Sequence, residues 1–153
     1  YSKTTCKNSE EKIMAATDLN TVRSTIEARL ATELASSPVI PVIFNNMAFD
    51  STTEDTFVQC LTSFGANQYL TQGDTSTATN NVVGLVVLNI FTEEGIGAGS
   101  NYTIGKRLRD LYNRVTVSNV IFDSPIGPEV LSSSPEGKFQ TQIRITFEIY
   151  EDL

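Results

Sequence analysis

Apolar residues recur every three or four positions in two segments of the chain, which predicts two amphipathic helices. The first has Thr17 or Asp18 as its N-cap and ends before Pro38, because proline cannot continue the helical hydrogen bonds. Its inward positions are Leu19, Val22, Ile26, Leu30 and Leu34. The second helix spans Asn101 to Arg114, with Ser100 or Asn101 as its N-cap. Its outward positions Lys106, Arg107, Arg109 and Arg114 form a solvated basic face.

Five other segments have the composition of strands, and they span 39–44, 57–64, 82–91, 115–122 and 139–150. Pro41 places the first of them at an edge of the sheet. The third is apolar on both faces, which predicts a central strand that is covered on both sides. The last alternates strictly between apolar and polar residues. One face therefore belongs to the core, and the other is exposed to solvent or contacts another subunit.

The order α-β-β-β-α-β-β predicts an α+β fold, with two helices packed on one face of a largely antiparallel sheet of about five strands. Two polar segments interrupt it. Residues 65–81 are rich in Thr and Asn and form a long arm between two strands, while residues 123–137 form a turn-rich loop. Residues 1–17 read as a polar tail, and residues 18–153 as one domain.

The glycines that precede the second helix suggest a phosphate loop but lack its spacing. Five residues separate Gly99 from Gly105 where that motif needs four, and Arg107 follows Lys106 where it needs a hydroxyl. A third glycine is also missing for the dinucleotide motif after Gly95, Gly97 and Gly99. The segment is predicted to be a strand-to-helix loop with glycine at positions of positive φ.

The amino-acid composition excludes several classes of catalytic and metal-binding chemistry. The 153 residues contain no histidine and two cysteines, so histidine-based nucleophile activation and ordinary zinc sites are excluded, and no metal or cofactor is predicted. Cys6 and Cys60 are expected to be free thiols. The acidic pairs Glu54-Asp55, Glu93-Glu94 and Glu151-Asp152 are interpreted as solvated element ends.

The net charge of −7 disfavours attraction to DNA or to anionic membranes. The sequence has neither an apolar run long enough to span a membrane nor a secretory signal, so synthesis in the cytoplasm and no membrane partner are expected.

Several short sequence segments resemble the phage tail terminator family, the group that includes the minor tail protein U of lambda-type phages and related tail-completion proteins. They are Ile26-Glu-Ala-Arg-Leu30, Val42-Ile-Phe44-Asn45-Asn46 with Phe49, Leu88-Asn-Ile-Phe91 leading through Gly95 and Gly97 to Leu108-Arg-Asp-Leu111-Tyr112, and the strand Arg144 to Tyr150. The resemblance covers about Asp18 to the C-terminus. Residues 1–17 have no counterpart in the family pattern.

The resemblance implies a structural virion protein of the tail and neck. It would cap the head-proximal end of the tail tube as a homohexameric ring, end tube growth and dock the head-completion or neck protein, while genomic DNA passes through without specific binding. The candidate subunit or ring-stacking residues are Tyr69, Thr71, Gln72, Asp74, Arg144 and Tyr150. Glu93 and Glu94 are the candidate acidic residues of the bore.

Three alternatives stay open at the level of sequence. The first is another neck or tail-tube ring protein of the same fold group, which would differ in its stacking partner. The second is a carboxylate-based enzyme, which requires two acids that face one pocket, with Glu54, Asp55, Glu93 and Glu94 as candidates. The third is a monomeric binding module.

Overall fold

The computed structural model describes residues 18–48, 53–69, 79–132 and 134–152. Two helices and seven strands follow in the order α1 (Leu19–Ala35), β1 (Val42–Ile43), β2 (Phe57–Tyr69), β3 (Thr79–Glu93), α2 (Gly99–Tyr112), β4 (Thr116–Val117), β5 (Val120–Phe122), β6 (Ile126–Val130) and β7 (Lys138–Asp152). The predicted α+β class, with two helices, is confirmed.

The sheet has seven strands, two more than the sequence predicted. The strand order is β1-β2-β3-β7-β5-β4, and β6 pairs with β7 beside β5. The pair β1–β2 is parallel, and all other pairs are antiparallel. One extra strand arises because residues 115–122 form a hairpin that turns at Ser118, where φ is +54°. The other is β6, which lies in the predicted loop and lacks the apolar alternation that would have revealed it.

The predicted positions of the long elements are largely right. Asp18 is the N-cap of α1, and its carboxylate accepts a hydrogen bond from the Asn20 N–H at 2.9 Å. β1 lies at the edge of the sheet, as Pro41 indicated, but it is shorter than the predicted segment. Beyond the end of β1, the Asn45 side chain takes over the pairing with β2. Its amide donates to the Thr62 carbonyl at 3.1 Å, and its side-chain oxygen accepts from the Thr62 N–H at 3.2 Å.

The predicted start of α2 is wrong. The helix begins at Gly99 with Ala98 as N-cap, and no side chain caps it. Asn101 instead points into the core, where it is fully buried. Its amide donates to the Ile90 carbonyl at 3.2 Å and to the Thr141 hydroxyl at 3.3 Å, and it accepts from the Thr92 hydroxyl at 2.6 Å. Asn101 therefore anchors the first turn of α2 to β3 and β7.

Both helices pack on one face of the sheet and form the main core with it. α1 buries Val22, Ile26, Leu30 and Leu34, although the predicted inward residue Leu19 is exposed. α2 buries Ile104, Leu108 and Tyr112. The strands supply alternating residues, which include Val86 and Leu88 on β3 and Ile143, Ile145, Phe147 and Ile149 on β7. The core face predicted for the last strand is thus confirmed.

The two helices run antiparallel and exchange contacts at their C-terminal ends. The Arg107 guanidinium on α2 pairs with the Glu33 carboxylate at 2.9 Å and donates to the carbonyls of Glu33, Ser36 and Pro38. In return, Arg29 on α1 donates twice to the Leu111 carbonyl, at 2.8 and 3.0 Å. The sequence placed Arg107 on a solvated basic face, and this was wrong because the residue closes the end of α1.

The predicted arm of residues 65–81 continues β2 and β3 as far as the structure describes it. Pairing extends to Tyr69 opposite Asn80, after a bulge between Phe64 and Asn67. β7 runs beside the same part of β3, with Asp152 opposite Thr79. Residues 70–78 lie outside the described part of the chain.

Candidate functional site

The face of the sheet opposite the helices, called here the outer face, carries a row of aliphatic side chains. Register places Leu61 opposite Val87, and Val87 opposite Arg144; Leu85 lies between Ser63 and Thr146. Leu61, Val83, Leu85 and Val87 are all half-buried, and we call these four residues the aliphatic stripe.

The sequence predicted that β3 would be central and covered on both sides. Its central position is confirmed, since β3 lies between β2 and β7. The cover is complete on the helix face, where Val82, Val86, Leu88 and Ile90 are buried. On the outer face the stripe stays half-buried, because both described helices pack on the other side. An apolar row of this kind is suited to contact with another protein.

A ladder of side-chain amides crosses the outer face next to the stripe. Gln59, Asn89 and Gln142 lie directly opposite one another on β2, β3 and β7. The Gln142 amide donates to the Asn89 side-chain carbonyl at 3.0 Å, and Asn89 donates to that of Gln59 at 3.1 Å. The ladder joins three strands and leaves the middle of the outer face polar but uncharged. Alternation alone did not reveal it, because register between strands is required.

Two of the predicted interface residues lie on the outer face of β7. Arg144 is exposed and pairs with Glu129 on β6 at 3.2 Å. Tyr150 is half-buried. Partial desolvation and the neighbouring Glu148 carboxylate raise the pKa of the Tyr150 phenol. The backbone of Tyr69 pairs with Asn80, but its side chain and the residues Thr71, Gln72 and Asp74 lie outside what the structure describes.

The predicted bore residues Glu93 and Glu94 lie together where β3 ends, and both are exposed. Glu93 is opposite Lys138, the first residue of β7. The Glu94 N–H donates to the Gly137 carbonyl at 3.1 Å. The Lys138 ammonium donates to the Glu54 carbonyl at 2.6 Å, and among the described residues it forms no ion pair with either glutamate.

Two depressions adjoin this end of the sheet. One, of about 350 Å³, is lined by residues that include Glu94, Glu136, Lys138 and Phe139. The other, of about 340 Å³, is lined by Glu94, Gly95, Gly97, Ala98 and Phe139. The four acids singled out in the sequence do not converge here, because Glu94 lines both depressions whereas Glu54, Asp55 and Glu93 line neither.

Within the described residues, no group of three or more Cys, Asp or Glu side chains could hold a metal ion. Neither described helix is long and apolar enough to cross a membrane.

The glycines before α2 have structural roles. Gly95 and Gly97 have φ values of +91° and +86°, as predicted for a strand-to-helix loop. Gly105 lies inside α2, and a Cβ atom there would approach Cγ of Pro128 to 2.8 Å. Glycine at 105 therefore lets the helix approach β6 closely.

Cys60 is a free thiol in the core, as the sequence predicted, and Cys6 lies outside the described residues. Burial raises the pKa of the Cys60 thiol to about 12. A thiol with this pKa stays protonated near neutral pH and is a poor nucleophile.

Comparison with known proteins gives the fold but no family. No protein-family model matches the sequence, and no curated protein matches it. A solved NMR structure without a functional name is similar over 88% of this chain and 96% of its own, with a TM-score of 0.63 and 15% sequence identity. At this identity the likeness shows a shared fold alone.

Proposed function

We propose that this chain is a structural subunit of a bacteriophage virion, which caps the head-proximal end of the tail tube as a hexameric ring. The observation that carries the proposal is the aliphatic stripe on the outer face. Leu61 on β2 and Val83, Leu85 and Val87 on β3 lie side by side on the outer face, and both described helices pack on the opposite face. A neighbouring subunit would bury this row.

The fold supports the proposal. Both described helices pack on one face of the sheet and form the main core there, while a smaller buried cluster of Ile43, Phe57 and Phe91 is separate from it. The amide ladder and the Arg144–Glu129 pair surround the stripe with polar groups. An apolar centre with a polar rim is the usual arrangement of a protein–protein interface. The sequence resemblance to tail terminators covers the same domain.

The charge also fits passage of DNA through a ring. Each subunit carries −7, and six copies carry six times that charge. Glu93 and Glu94 are exposed at one end of the sheet, and in the proposed ring they face the bore. An acidic bore repels phosphate, so genomic DNA slides through without specific binding. The tail tube protein and the head-completion or neck protein are the other proposed partners.

Substitution of the aliphatic stripe tests the proposal. Leu85→Thr with Val87→Thr keeps β-forming residues and removes apolar surface from the outer face. We expect the double variant to fold and to assemble at least about tenfold more weakly, which corresponds to about 1.4 kcal/mol. The matched control is Val39→Thr, which changes an aliphatic side chain that is 70% exposed before β1.

Assembly is measured by native mass spectrometry and negative-stain imaging over a range of concentrations. If the double variant assembles as well as the wild type, the outer face is not part of the subunit interface. A ring that forms but occupies another level of the tail or neck would favour the alternative, a tube or neck protein of the same fold group.

A further inference from the structure

Arg114 follows the C-terminal end of α2 and has a backbone conformation that arginine seldom adopts. Its φ is +53°, in the left-handed region, where Cβ crowds the next carbonyl. Helices often end in this conformation, but the position is usually occupied by glycine or asparagine. The Arg114 side chain is exposed, so core packing does not account for an arginine there.

Arg114 also differs from the other cations in the described ranges. Each other described lysine or arginine donates a hydrogen bond to a group within the subunit. Arg114 makes no such bond, and no carboxylate of the described chain lies within ion-pair distance of it. The fold thus holds a free guanidinium at the surface on a strained residue, which is typical of a functional position.

A complementary acidic depression lies at the other end of α2. Glu136 and Glu94 line it, both are exposed, and neither belongs to an ion pair among the described residues. Its volume of about 350 Å³ can admit a guanidinium group, and Phe139 gives it an apolar wall. Lys138 also lines it, so the lining has two carboxylates and one ammonium and a net negative charge; the ammonium donates to the Glu54 carbonyl at 2.6 Å.

The two features cannot meet within one subunit. α2 has 14 residues, and at 1.5 Å per residue it separates them by roughly 20 Å. A contact between them must join two copies through different patches, which is the heterologous type of contact that builds rings or filaments. The net charge of −7 makes a carboxylate of a second copy a better partner for Arg114 than nucleic-acid phosphate.

We propose that Arg114 of one subunit inserts into the depression of the next subunit and pairs with Glu136 at its rim. The contact fixes the direction in which subunits follow one another. This inference rests on the proposed function, which supplies the second copy of the chain, and it names the residues that join the two copies.

Two glycine substitutions separate backbone strain from the charge. Arg114→Gly relieves the positive φ and removes the guanidinium, whereas Ser118→Gly relieves a positive φ of +54° in the nearby β4–β5 turn without removing charge. Both should keep or raise the melting temperature, by up to about 2–4 °C. Arg114→Gly alone should weaken self-association, at least about tenfold. Equal self-association in the two variants would overturn the proposal.

Charge exchange identifies the partner. Arg114→Glu should reduce self-association further, and addition of Glu136→Arg in the same chain should restore it, because each interface then regains one opposite pair. Failure of this restoration overturns the assignment to the depression. Loss of DNA passage or binding in Arg114→Gly, without a change in self-association, would assign Arg114 to nucleic acid instead and would also overturn it.

The wild-type chain distinguishes this inference from the proposed function. Wild-type rings that are insensitive to Arg114→Gly contradict the inference alone. Wild-type assemblies that depend on Arg114 but are not six-fold contradict the proposed function alone. A chain that stays monomeric at its highest soluble concentration contradicts both.

Discussion

The ring of Phe147 on β7 lies against the backbone of Gly84, its direct partner on β3. A Cβ atom at position 84 would lie 2.7 Å from both Cε atoms of the ring and closer still to Cζ. Glycine therefore provides the space in which an aromatic ring covers a neighbouring strand. Phe147 also contacts Phe64 and Phe122 edge-on, with ring centroids 5.8 and 6.2 Å away. Its position links the sheet to the aromatic part of the core.

A double-mutant cycle tests this relationship. Phe147→Ala should lower the free energy of unfolding by about 3–5 kcal/mol, because it leaves a cavity in the core. Gly84→Ala should lower it by about 1–3 kcal/mol, because the new methyl overlaps the ring. In the double variant the methyl enters the space that the ring has left, so its loss should be clearly smaller than the sum. Urea denaturation measures all three, and additive losses would contradict the packing described.

The buried amide of Asn101 gives a second prediction. Asn101→Ala removes the partner of the Thr92 and Thr141 hydroxyls, which are both fully buried. Leaving such groups unsatisfied should cost about 2–3 kcal/mol in the free energy of unfolding. The control is Ser100→Ala, an exposed position one residue earlier, which should change stability by less than about 0.5 kcal/mol. Similar losses in the two variants would show that Asn101 does not anchor α2.

Arg107 gives a third prediction, which concerns geometry more than charge. Its guanidinium reaches the Glu33 carboxylate and three backbone carbonyls at the end of α1. Lysine keeps the charge but cannot reach four acceptors from one planar group. Arg107→Lys should therefore lower the free energy of unfolding by about 1–2 kcal/mol. Lys106→Ala, which removes an exposed pair with Asp110, should cost about 0.5 kcal/mol or less. Thermal denaturation of both variants measures these losses. An Arg107→Lys variant as stable as the wild type would contradict this role.

Cys60 gives a pH-dependent prediction. Its pKa is 9.0 as an ordinary thiol and about 12 in the fold, so above pH 9 the unfolded chain loses a proton that the native chain retains. The free energy of unfolding should fall as pH rises from 9 towards 12, by up to about 1.4 kcal/mol per pH unit. Burial also raises the pKa of Tyr112, which acts in the same direction above pH 10.

Denaturation of a Cys6→Ser variant at pH 8 to 10.5 isolates Cys60 as the remaining thiol. Cys60→Ala in that background should reduce the slope against pH, whatever its effect at pH 8. An equal slope in both proteins would mean that the Cys60 thiol ionises as readily in the fold as in the unfolded chain.

The long elements could be predicted because one residue pattern dominated each of them. Spacing of four along Val22, Ile26, Leu30 and Leu34 gives α1, and alternation from Ile143 to Ile149 gives β7. The short elements were harder to predict from the sequence. β6 has exposed residues at both ends, and its pairing depends on β7, which is distant in sequence. The turn at Ser118 requires a positive φ that serine does not signal.

The candidate site was predictable in outline but not in detail. Alternation placed Arg144 and Tyr150 on the outer face, and the structure agrees. The aliphatic stripe and the amide ladder depend on which residues of three strands lie opposite one another, which single segments do not encode. The sequence predicted Asn101 as a candidate N-cap and Arg107 as part of a solvated basic face. Their roles follow from contacts across 9 to 74 residues of sequence.

The copy number in assembled tails tests the central claim most directly. Cryo-electron microscopy of tails that contain this chain should show six copies in one ring at the head-proximal end of the tube, with the outer face of each sheet buried against a neighbour. A single copy, a twelve-fold ring, or a ring in which Leu85 and Val87 face solvent would contradict the account.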